Sequence, residues 1–118
     1  MIEDTDKNII HQYILFQYLE RVVDRDRKVI LSSKIKFHKP YEHLFSEIDT
    51  YVFEQMKELK KQMSKRGLKI INEEREDDFT TEFQYLCRGY QSVFRFWNIA
   101  LRNQVESLYS KLLISREL

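Results

Sequence analysis

Only three residues in this chain of 118 are strong helix breakers: Pro40, Gly67 and Gly89. Proline and glycine are the residues that most readily stop or redirect regular structure. A chain with so few of them has little means of making many tight turns. Between these points apolar residues recur at spacings of three and four, the period of an amphipathic helix. The pattern predicts an all-α fold: a three- or four-helix antiparallel bundle in a single helical domain over residues 1–118, with a short extended segment near residues 68–72.

Charge narrows the function classes. Charged side chains make up 33% of the chain, yet they almost cancel to a net +1, so no global field steers it onto nucleic acid or an anionic membrane. Cys87 is the one cysteine, which excludes an internal disulfide and suits a reducing compartment. The N-terminus is acidic (Glu3, Asp4, Asp6), unlike the basic start of a signal peptide. The densest apolar stretch, residues 13–19, is too short to cross a bilayer and contains Gln17. A soluble cytoplasmic protein with no membrane partner is expected.

Asp4, Thr5 and Asp6 offer capping oxygens for a first helix running to about Leu31. Its second half has a polar face (Glu20, Arg21, Asp24, Arg25, Lys28) opposite Leu15, Leu19, Val22 and Val23. In its first half Ile9, Ile10, Tyr13 and Ile14 make it apolar nearly all round, so two sides need cover. Pro40 suits the first turn of a second helix, and Gly67 suits its end. Phe45, Ile48, Val52, Met56, Leu59 and Met63 give that helix one narrow stripe. Residues 68–71 look extended and need a strand partner, in this chain or in a second copy. Asp77 or Asp78 is expected to cap a third helix whose stripe includes Phe79, Phe83, Leu86, Tyr90, Val93, Phe94, Trp97, Leu101, Val105 and Leu108. Residues 96–98 are a candidate break, because asparagine caps helices well.

On a continuous third helix, Gln84, Arg88, Gln91, Arg95, Asn98 and Arg102 would share one stripe. Guanidinium groups favour carboxylate or phosphate partners, so Arg88, Gln91, Arg95 and Arg102 are the candidate partner-binding residues. The plainer alternative pairs the arginines with Glu47, Glu54 or Glu58, or leaves them solvated. Lys57, Lys60, Lys61, Lys65, Arg66 and Lys69 form a second basic run, broken up by Glu54 and Glu58 and spread around the helix end. Tyr85, Phe96 and Ile99 fall off the third-helix stripe. With Ile10, Tyr13 and Ile14 they suggest a second apolar surface, so Ile10, Tyr13, Ile14, Phe96 and Ile99 are the expected homodimer contacts.

Sites for chemistry are scarce. His43 and Glu47 have the i,i+4 spacing of two metal ligands, but no further ligand stands nearby on that helix. Cys87, on an aromatic-rich segment, reads as a buried inert thiol. No catalytic residue, cofactor or metal is expected.

Four stretches, Lys65-Arg66-Gly67-Leu68-Lys69, Asp77-Asp78-Phe79-Thr80, Cys87-Arg88-Gly89-Tyr90 and Arg102-Asn103-Gln104-Val105, resemble the YhjD-type proteins of Bacillus and related bacteria. The resemblance covers mainly residues 65–105. It implies a bacterial cytoplasmic origin, in a spore-former or one of its phages, and brings no activity with it. The expected function is a non-enzymatic interaction or regulatory protein, a homodimer acting by protein–protein binding. The alternative is a nucleic-acid-binding regulator using Arg88, Arg95 and Arg102 with the basic helix end.

Overall fold

Period two, not the helical period, governs residues 80–97. The computed structural model describes residues 2–114. In chain order these form α1 (Asp4–Leu31), α2 (Lys39–Lys65), β1 (Leu68–Arg75), β2 (Thr80–Cys87), β3 (Tyr90–Trp97) and α3 (Asn98–Ile114). A three-stranded antiparallel sheet of order β1-β2-β3 therefore replaces the first part of the expected third helix, and the fold is α+β, not an all-α bundle. Along β2 every second residue, Thr81, Phe83, Tyr85 and Cys87, is buried. Tyr85 and Phe96, which fall outside the helical stripe, are core residues, whereas Phe79 and Trp97, which fall on it, are exposed.

The turn explains why a helix fails here. Arg88 (φ 49°) and Gly89 (φ 88°) both lie in the left-handed region. Two such residues between paired strands make the tight hairpin whose twist matches that of the flanking strands. Gly89 is thus a hairpin turn residue, not a glycine inside a helix. The β2–β3 register runs without interruption from Thr80↔Trp97 to Cys87↔Tyr90. The expected extended segment is present but longer, and its partner is β2 of the same chain, not a second copy. Its register shifts between Ile70 and Asn72, a bulge. Asp77 caps a turn instead of a helix: Oδ1 accepts from the backbone N–H groups of Phe79 (2.7 Å) and Thr80 (2.8 Å).

The helical hairpin follows the sequence closely. Glu3 is the N-cap of α1, and its backbone N–H donates to Asp6 Oδ2 at 2.9 Å. Pro40 lies in the first turn of α2. Gly67, with φ 67°, carries the chain out of α2 into β1. Asn98, the candidate break, is where α3 begins. Its N–H donates to the carbonyl of Phe79 at 2.6 Å, and its side chain bonds Thr81 Oγ1 (2.6 Å) and the carbonyl of Asp78 (3.1 Å).

One apolar cluster draws on all six elements. Ile10, Ile14 and Leu19 of α1 are fully buried in it, beside Ile48 of α2 and Phe83 and Tyr85 of β2. The second apolar side of α1 is therefore covered within the chain, and no second subunit is needed to cover it. Ile10, Ile14 and Phe96 are buried in the chain's own core and cannot form the expected dimer contact. Tyr13 is half-buried, and Ile99 alone of the five is well exposed. The molecule is elongated, 54 × 32 × 20 Å with a radius of gyration of 16.2 Å, against about 13–14 Å for a compact chain of this length.

Candidate functional site

Two constellations of polar side chains stand out, one closed and one open. The closed one is built on Asp6, in the first turn of α1, which is fully buried. Its Oδ1 accepts from Arg66 Nε and its Oδ2 from Arg88 Nη2, both at 2.7 Å. Arg66 Nη2 also reaches Glu3 Oε2 at 2.7 Å, and the thiol of Cys87 donates to Asp6 Oδ2 at 3.6 Å. Charge-assisted bonds of this kind are about twice as strong as neutral ones. Arg88, supported by Arg66 and the Glu3 N–H, holds the Asp6 carboxyl well below the usual carboxylate range in spite of burial. Burial, followed by the Asp6 charge, pushes the Cys87 thiol up. Cys87 is therefore a protonated buried thiol with no nucleophilic character at neutral pH.

The open constellation is a groove between α1, the end of β1 and α3, with a volume of about 650 Å³. Such a volume is within the range of ligand-binding clefts. Tyr18 and Val22 of α1 face Leu101, Val105 and Tyr109 of α3 across it. The charges divide by end. Arg75 and Arg102 lie towards Thr81 and Asn98, where α3 starts. Asp26 and Glu106 lie towards Tyr109. Glu73, on the β1 wall, is held by both guanidinium nitrogens of Arg21 (3.0 and 3.2 Å) and by Tyr18 Oη (2.9 Å). Burial pushes the Glu73 carboxyl up, and the Arg21 and Tyr18 bonds more than offset it, leaving the group ionised. Burial also raises the phenols of Tyr18 and Tyr109 to about 12, aided by Glu73 and Asp26 respectively. Among the described residues Arg102 has no ion pair or hydrogen bond.

The arginine stripe expected from the sequence does not exist. Arg88 is in the hairpin turn, bound to Asp6. Gln91 and Arg95 are on β3, where Arg95 pairs with Glu76 (3.2 Å) and Glu82 (3.7 Å) on the outer face of the sheet. Arg102 is on α3, in the groove. The intrachain pairing given above as the plainer alternative occurs for Arg88 and Arg95, with Asp6, Glu76 and Glu82 as the carboxylates. His11 hydrogen-bonds Gln104 (2.7 Å) and lies against Phe94 and Phe96, joining α1, α3 and the sheet. Among the described residues no three His, Cys, Asp or Glu side chains gather as metal ligands. No helix among them is long and apolar enough to cross a membrane. Sequence reading missed the Asp6 cluster and most of the groove; the only groove residue it named as a site is Arg102.

A long helical hairpin carrying a three-stranded meander, with a final helix closing a groove, defines a small α+β protein. The chain belongs to the YhjD protein family, whose model matches residues 1–117. The likeness first noted in the second half therefore extends along nearly the whole chain. A relative from Bacillus subtilis (strain 168), called Uncharacterized protein YhjD, is 27% identical over 108 residues, covering 92% of this chain and 89% of that protein. No solved structure matches the chain.

Proposed function

We propose that this chain is a non-enzymatic cytoplasmic binding protein whose groove receives an amphipathic segment of a partner protein. The observation that carries this reading is the pairing of an apolar floor with the guanidinium of Arg102, which has no ion pair or hydrogen bond among the described residues. An amphipathic helix laid into such a groove would place apolar anchors over Val22 and Leu101, as helix-in-groove recognition does. An acidic side chain would meet Arg102 and Arg75 at one end, and a basic one Asp26 and Glu106 at the other. The polar groups nearest the floor support binding over chemistry. Glu73 is engaged by Arg21 and Tyr18, and both phenols are protonated across the physiological range.

The test compares baits. Partners captured from host lysate by the parent chain are identified, and their affinity for Val22→Asp, Arg102→Glu and a remote control, Lys57→Glu, is measured with purified components. Loss of a central anchor or a desolvated charge is expected to weaken binding about 5- to 150-fold, corresponding to about 1–3 kcal/mol. Equal affinity of all three variants removes the groove as the site.

A further inference from the structure

The two edges of the sheet are treated differently. The β1 edge has the usual protections: a bulge between Ile70 and Asn72, charged residues Lys69, Glu73, Glu74 and Arg75, and α2 packed against it. Bulges and edge charges are how natural sheets prevent further strand pairing. The β3 edge has no bulge, and the helix it contacts, α3, follows it directly. Its eight residues keep unbroken register with β2, contain no proline or lysine, and include one charged residue, Arg95.

The hairpin fixes which backbone groups point outward. Because the turn has two residues, Cys87 and Tyr90 form the hydrogen-bonded closing pair, and every second pair beyond it does likewise. The N–H and C=O groups of Gln91, Val93 and Arg95, and the N–H of Trp97, therefore point away from β2, while the Trp97 carbonyl caps the start of α3. Among the described residues nothing in this chain bonds the outward-pointing groups. Val93 (45% exposed) and Trp97 (65% exposed) stand along this edge.

We propose that a second copy of this chain pairs antiparallel with β3 about a two-fold axis at Val93, giving a continuous six-stranded sheet. The strand is complementary to itself in this register. Val93 faces Val93 of the second copy, and Arg95 faces Gln91, whose amide oxygen accepts from a guanidinium. On the other face Tyr90 faces Phe96 and Ser92 faces Phe94. The two Arg95 side chains stand four residues apart along the strands, roughly 14 Å, so the sole charge meets no like charge. A different chain would have to supply this complementarity, whereas a copy supplies it by symmetry. Surface is also available. The chain exposes 8498 Å², against roughly 6,900 Å² for a compact monomer of its mass, and a standard interface takes about 800 Å² from each partner. This proposal does not rest on the groove, whose walls are α1, the end of β1 and α3.

Light scattering of the full chain at micromolar concentration is expected to give twice the monomer mass. Val93→Lys, at an exposed position, places two like charges on the axis and is expected to halve that mass while leaving the circular-dichroism spectrum unchanged. Val93→Cys is expected to form a disulfide-linked dimer on mild oxidation, because residues in a hydrogen-bonded pair lie about 5.5 Å apart, within disulfide reach. Gln84→Cys, on the central strand, is expected not to do so. A monomeric parent chain, or a Val93→Lys variant that remains dimeric, overturns the proposal. So does a dimeric parent in which Val93→Cys fails to cross-link.

Discussion

Arg88 Nη1 donates to the main-chain carbonyl of Arg66 across 2.8 Å, tying the turn that ends β2 to the turn that ends α2. The Arg88 N–H meets the Gly67 carbonyl, also at 2.8 Å. Both guanidinium groups then converge on Asp6. Three segments remote in sequence are thus fastened at one end of the molecule around one carboxylate.

Removing that carboxylate leaves two arginines with no central anion. Asp6→Asn is expected to cost about 2–4 kcal/mol, less than a fully sealed ion pair because both guanidinium groups reach water. Urea unfolding at pH 7 measures it. Asp6 has a lowered pKa in the folded state, so its stabilisation is complete well above the ordinary value of 3.8 and is lost as pH falls through that value and below. The parent chain should therefore lose stability on acidification across this window, and Asp6→Asn should lose less over the same window.

The two glycines are expected to differ. Both have positive φ, so alanine at either is strained by about 1 kcal/mol. A Cβ at Gly89 meets open space, while one at Gly67 comes 3.0 Å from Arg88 Cγ. Gly67→Ala should therefore be the more destabilising in thermal melts, and it should also disturb the Arg88–Asp6 bond.

Tyr18 and Tyr109 are expected to ionise near pH 12 in an ultraviolet titration, with Tyr18→Phe removing one of these two late phenols. A raised phenol pKa stabilises the fold below the ordinary value of 10.0. That contribution disappears as pH rises towards 12, so unfolding should become easier over this interval.

Asn98 anchors the start of α3 through Thr81 and Asp78. The helix itself buries only Leu101 and Val105 fully. Asn98→Ala is expected to cost about 1–2 kcal/mol. Hydrogen exchange should show α3 amides opening before those of α1 and α2, with the variant widening the gap.

The helical hairpin was legible because its apolar period persists over 28 and 27 residues and its ends have suitable caps. The sheet was not, because Phe79, Phe83, Leu86, Tyr90 and Val93 satisfy helical spacing by coincidence. The competing signal was present: Thr81, Phe83, Tyr85 and Cys87 alternate, and residues before and after Arg88-Gly89 are rich in aromatic side chains, which strands favour. Running the third helix through Gly89 hid the turn. The Asp6 cluster was out of reach, since it joins residues 60 and 82 positions apart. Local spacing carries no information about such pairs. The groove shares this difficulty: it is assembled from α1, β1 and α3, and only Arg102 had drawn notice as a basic residue.

Trp97 ends β3 and Asn98 begins α3, with no residue of loop between them. With no slack at this junction, the last rung of the strand and the first turn of the rod share one stretch of backbone, so their relative direction is set by the dihedral angles of these two residues alone.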